Sequence, residues 1–150
     1  MVDYARMKHG MEVWIMQCTN RVARDHCGVA DPKARPYWRP SQEDLKPAVS
    51  KDYDAIMASR ATLYRLINNV DGVCNIDSDP GYCDGCALDD YVKVLKGCRS
   101  LLDRHNIHGS RTRLMSWMWF GWGQKHGQFF ELSYQERTLQ ALKRELPEPW

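Results

Sequence analysis

Apolar residues recur along this chain with two alternating periods, one near 3.6 residues and one near 2. Val2 to His9 reads as the tail of an amphipathic helix, and Gly10 stands where a helix ends in the left-handed conformation. Met11 to Met16 (Met-Glu-Val-Trp-Ile-Met) lies between Gly10 and the polar stretch Gln17 to Arg21, and its β-branched and aromatic content predicts a buried strand. Periodicity then disappears from Val22 to Val49, where Pro32, Pro36, Pro40 and Pro47 forbid a long helix. A long loop is expected there, with Tyr37 and Trp38 packing it.

Behind Ser50, helical spacing resumes over Lys51 to Asn68 through Ile56, Leu63, Leu66 and Ile67. Val73 to Asp77 predicts a second strand that leaves through Asp77-Ser78-Asp79-Pro80-Gly81. Leu88 to His105 repeats the helical stripe through Tyr91, Val92, Leu95, Cys98 and Leu102. Thr112 to Phe120 predicts a third strand, closed by Gly121, Trp122 and Gly123. Ser133 and Glu136 form a capping-box pattern ahead of a last helix that ends near Pro147.

Strict alternation of helix and strand implies parallel strands joined by helical crossovers, an α/β architecture. An open sheet and a closed barrel both fit the pattern. A complete (β/α) barrel needs eight such units and about 250 residues. Residues 1–150 supply about three units and are expected to be one piece of a (β/α) TIM barrel domain, incomplete at both ends.

Composition narrows the class. Hydrophobic residues at 43%, charged residues at 27% and a mean hydropathy of -0.59 describe a globular chain rather than a disordered one. Lys plus Arg number 21 against 19 Asp plus Glu, and the net +2 is too small for affinity built on counterion release, so no nucleic-acid partner is expected. The longest apolar runs fall far short of the roughly 20 residues of a membrane span. No secretory signal is legible at the N-terminus, and six cysteines in a chain this apolar are not needed as staples.

In parallel α/β folds ligands bind beyond the carboxyl ends of the strands, which directs attention to three strand exits. The first offers Gln17, Thr19, Asn20 and Arg21, the second Asn75, Asp77 and Asp79, and the third Trp117, Trp119 and Trp122. If the pleat continues, Asp77 and Asp79 share a face roughly 6.6 Å apart at about 3.3 Å per residue. Carboxylates that close split their pKa values, as an acid/base or acid/nucleophile pair requires. The same Asp-Ser-Asp-Pro-Gly is equally turn chemistry, with Asp79 in an Asx turn. The three tryptophans suit the C–H faces of sugar rings, and equally suit the core of a barrel.

Other motifs carry less. Cys83-Asp-Gly-Cys86 is a single Cys-x-x-Cys with no second pair at zinc spacing, so plain loop thiols, a disulfide, a structural metal and a redox pair all fit it. Cys74 and Cys98 read as core residues. The five histidines are scattered and form no metal pair, although His26 and His126 are within reach of a strand-exit site. No phosphate-binding glycine loop is present; neither a cofactor nor a metal is expected.

Three segments together carry a resemblance. His9-Gly10-Met11-Glu12-Val13-Trp14, then Asn75-Ile76-Asp77-Ser78-Asp79-Pro80-Gly81-Tyr82-Cys83 with Cys86, then the tryptophan-rich third strand resemble the central part of (β/α)8-barrel glycoside hydrolases of the β-hexosaminidase-like and α-glucuronidase-like kind. The resemblance is one of pattern and covers most of the chain. It implies a carbohydrate substrate, carboxylate chemistry at the strand exits and a secreted or periplasmic parent protein. One departure is plain: Ser78 separates Asp77 from Asp79, where such barrels carry adjacent acids. Asp77 and Asp79 are thus expected as the acid/base pair, or as hydroxyl-binding carboxylates with the acid and nucleophile on strands outside this chain. Asn20, Arg21, Asn75, Trp117, Trp119 and Trp122 are the expected substrate-binding set. The alternative is a non-catalytic carbohydrate-binding or structural segment of such a barrel.

Overall fold

The structure, a computed structural model, describes residues 2–23, 42–76, 87–117 and 132–146. Four helices, α1 (Val2–His9), α2 (Ser50–Leu66), α3 (Leu88–His105) and α4 (Leu132–Glu145), alternate with strands β1 (Trp14–Cys18), β4 (Gly72–Ile76) and β5 (Arg113–Trp117). These three strands form one parallel sheet in the order β1-β4-β5, as the alternating pattern predicts. The fold is therefore mixed α/β, with its described strands in sequential order.

Two short strands were not expected. β2 (Arg21–Ala23) pairs antiparallel with β3 (Gln42–Asp44) at the two ends of what reads in the sequence as a featureless loop. Three-residue strands paired across some twenty positions leave no period to detect. A second correction concerns β1, which starts at Trp14 instead of Met11 and runs on through Gln17 and Cys18. The N–H of Val13 is taken by the Asp71 carboxylate at 2.8 Å, so the ladder begins one residue later, at Trp14 opposite Gly72. Gln17 reads as the polar end of the strand, but its amide is satisfied inside the fold and the strand continues.

α1 closes as its sequence predicts. Gly10 has φ +61°, and its N–H donates to the Arg6 carbonyl at 2.9 Å. α2 begins at Ser50, and the Asp52 carboxylate accepts the Lys46 N–H at 2.9 Å. α3 spans Leu88–His105, the range its stripe predicts; Asp90 reaches back to the Ala87 N–H at 3.2 Å. β4 and β5 are described as far as Ile76 and Trp117; the expected continuations to Asp77 and Phe120 lie outside the described residues, as does the side chain of Ser133.

One face of the sheet carries Ile15 and Gln17, Val73 and Asn75, Leu114 and Ser116, because side chains alternate along each strand. α2 and α3 cover that face. Ile56 and Tyr64 of α2 and Tyr91, Val94, Leu95, Cys98 and Leu102 of α3 are buried in a core with Val73 and Leu114. The two helices approach closely at Gly97, where a Cβ would lie 2.7 Å from the Tyr53 hydroxyl and closer still to the Met57 sulfur. Met16, Met115 and Trp117, on the opposite face, are exposed.

Candidate functional site

The register sets Cys18, Ile76 and Trp117 in one row at the carboxyl side of the described sheet. Immediately beneath, on the helix-covered face, Gln17, Asn75 and Ser116 form a second row. Buried polar groups need partners, and these have them. Gln17 donates from Nε2 to Asn75 Oδ1 at 3.3 Å and to Cys98 Sγ at 3.6 Å, while its Oε1 accepts from the Tyr64 hydroxyl at 3.1 Å. Asn75 Nδ2 donates to Thr19 Oγ1 at 2.8 Å, and Thr19 donates on to the Ile76 carbonyl at 3.0 Å. Ser116 shares a hydrogen with Tyr91.

This network stitches the exit of β1 to that of β4. Burial pushes the Tyr64 hydroxyl and the Cys98 thiol up, so both stay protonated at neutral pH. The charged neighbour is Arg60, whose Nη2 donates to the carbonyls of Cys18 and of Arg21, the latter at 3.0 Å. Arg60 is only 6% exposed and holds the turn that follows β1. Asn20 holds the same turn from the other side, donating from Nδ2 to the Leu45 carbonyl at 2.9 Å while the Leu45 N–H returns to the Asn20 carbonyl at 3.1 Å.

The candidates read from the sequence separate accordingly. Asn20 and Asn75 are buried, with side chains engaged by Leu45 and by Gln17 and Thr19. Arg21 is exposed at the start of β2, and Trp117 is 45% exposed at the end of β5. Asp77, Asp79, Trp119, Trp122, Cys83, Cys86, His26 and His126 lie outside the described residues. Cys74 and Cys98 are buried, as expected. No cluster of three or more His, Cys, Asp or Glu side chains forms among the described residues, and none of the described helices is long and apolar enough to cross a membrane.

Sequence reasoning passed over Arg60 and Ser116, and it reads Tyr64 and Tyr91 only as members of the apolar helical stripes. A signal existed for Arg60: it falls four residues after Ile56 and four before Tyr64, inside the apolar stripe, where an unsatisfied charge is untenable.

The opposite end of the sheet is built differently. Asp71, before β4, accepts from Arg6 Nη2 and from the Val13 N–H, both at 2.8 Å. Burial alone raises the Asp71 carboxyl, but those hydrogen bonds and the charge of Arg6 outweigh it and hold the group below its ordinary range. Arg113 pairs with Glu12 and stacks 4.7 Å above the Trp14 ring. A further cavity of about 450 Å³ lies among α2, α3 and α4, where Lys96 pairs with Glu145 at 3.0 Å and Lys93 sits 4.2 Å above the Tyr53 ring.

Comparison with known proteins gives no relative: no family model, curated protein or solved structure matches the chain.

Proposed function

We propose that this chain is part of the wall of a (β/α)-barrel carbohydrate-active hydrolase, with sugar bound at the carboxyl ends of β1, β4 and β5. The observation that carries the reading is the register that sets Cys18, Ile76 and the half-exposed indole of Trp117 in one row, Ile76 being the residue that precedes Asp77 in the chain. Sequential parallel strands with α2 and α3 on one face suit a barrel wall, and ligands of such folds sit at that end. An aromatic face beside carboxylates is the surface a pyranose ring calls for.

In this reading Asp77 and Asp79 act as acid/base or hydroxyl-binding carboxylates, Trp117, Trp119 and Trp122 form the sugar platform, and Arg21 reaches the same rim. Asn20 and Asn75, buried as they are, serve by fixing the backbone from which the rim departs. The near-balanced charge favours a sugar over a nucleic acid.

A panel of oligosaccharides and aryl glycosides tests the proposal on the protein that contains this chain. Tryptophan fluorescence is expected to be quenched by the cognate sugar, with binding weakened at least about tenfold in Trp117→Ala, since a stacked aromatic contributes on the order of 1–2 kcal/mol. Turnover should fall about a hundredfold or more in Asp77→Asn if this carboxylate handles the proton. Absence of quenching by every sugar, together with unchanged turnover in Asp77→Asn, removes the reading.

A further inference from the structure

Five of the ten large apolar side chains exposed among the described residues, Tyr4, Met7, Met11, Leu66 and Ile107, lie at the amino ends of the strands. A single exposed apolar group needs no explanation, but a gathering of them at one end does. α2 ends at Leu66 and α3 at His105, because each crossover helix returns the chain to the start of the next strand. The Ile107 N–H donates to the Asn68 carbonyl at 2.7 Å, which sets Ile107 beside the turn that follows Leu66. α1 is tied to the same turn: Arg6 Nη2 donates to the Asn69 carbonyl and Asn69 Nδ2 to Asp3 Oδ1, each at 2.5 Å.

None of the residues of α1 is buried, and the polar contacts of Arg6 and Asp3 attach it to the body. Its Met7 is 87% exposed, beside Leu66 at 78% and Ile107 at 64%. Lys8 stands 5.1 Å from the Tyr4 ring centroid, its apolar stem along the ring and its charge beyond it. A short helix that gives no side chain to the core while holding aromatic, aliphatic and basic groups outward suits a membrane interface.

Charge at this end is in excess of one sign. Asp71 is held by Arg6, Glu12 by Arg113 and Asp103 by Arg99. Lys8, Arg65, Arg104 and Arg111, all exposed, then stand against Asp3 alone among the described residues. That local excess is larger than the net +2 of the whole chain. A nucleic acid makes no use of aliphatic tips. The small cavity at this end, lined by Asp71, His108, Arg111 and Arg113, offers no apolar pocket for the anchor residue of a protein partner.

From this placement we propose that the amino end of the strands docks on an anionic phospholipid surface. Met7, Leu66 and Ile107 enter the headgroup layer, and Lys8, Arg65, Arg104 and Arg111 meet the lipid phosphates and carboxylates. The contact lies in the interface and crosses nothing. It is independent of the carbohydrate reading and turns the carboxyl ends of the strands away from the membrane.

Sedimentation with lipid vesicles tests this on the protein that contains this chain. Vesicles of equal parts phosphatidylserine and phosphatidylcholine should bind it at low salt, at least about tenfold more tightly than vesicles of phosphatidylcholine alone. Added salt should release it. Lys8→Glu combined with Arg65→Glu removes the electrostatic part and Met7→Ser combined with Ile107→Ser the apolar part; each pair should weaken binding at least about tenfold. Lys143→Glu and Leu139→Ser, exposed on α4, should bind as the parent does. Every substituted position is exposed, so an unchanged unfolding midpoint is expected throughout. The proposal is overturned if the mixed vesicles bring down no protein, if either pair of substitutions leaves binding unchanged, or if a nucleic-acid duplex binds as tightly as the vesicles.

Discussion

Tyr64 shows what a single hydroxyl does here. Fully buried, it donates to Gln17 Oε1 and so completes an amide that already serves Asn75 and Cys98. Tyr64→Phe leaves that carbonyl oxygen buried without its donor and should cost about 1–3 kcal/mol, read as a lower urea midpoint at unchanged slope. Asp71 acts through protonation. Its carboxyl is held below the value it has in the unfolded chain, so its contribution is present above about pH 4 and is lost as pH falls through the folded-state value. Asp71→Asn should therefore lower stability across neutral and alkaline pH and flatten the acid limb of the stability–pH curve, with the smallest difference from the parent at low pH. The thiol of Cys98 belongs to the same scale: burial raises its pKa and closes access, so reagents for free thiols should label it only at the rate of unfolding.

Among the elements, α2 and α3 define the helical layer, and Gly97 sets their distance. A side chain there meets Met57 and Tyr53, so Gly97→Val should destabilise the chain by about 1–3 kcal/mol through overpacking, measurable by thermal or urea unfolding. The span of α3 was legible because a long apolar stripe is a local signal, repeated over five turns. The start of β1 was not, since Val13 is diverted by a carboxylate 58 residues away. β2 and β3 were missed for the related reason that a three-residue pairing has no period of its own. Arg60 and Arg99 show the converse: each stands inside an apolar stripe, and each proves to be a clamp on backbone carbonyls at one end of the sheet.

For the molecule as a whole, the parallel sheet divides the chemistry between two ends. At the carboxyl ends a neutral buried network, fixed by Arg60, joins the exits of β1 and β4; at the amino ends charged groups surround a small cavity. β4 is the central strand, paired on both sides. Its amides at Val73, Cys74 and Asn75 should exchange with solvent only through global unfolding, while those of β1 and β5 exchange faster, a difference that hydrogen exchange resolves residue by residue.

The amino-acid sequence by itself determined the alternation of helix and strand, the parallel sense it demands, the left-handed end of α1 at Gly10 and the buried stripe of α3. Each is a property of neighbouring residues, set by backbone sterics and by which positions of one segment share a face. Tertiary structure alone decided the register that aligns Cys18, Ile76 and Trp117, the network at Gln17 and the meeting of His108 with Arg111 and Asp71. Gln17 finds its partners 47 to 81 residues away, and a hydrogen bond between segments that distant exists only after the chain has folded them together.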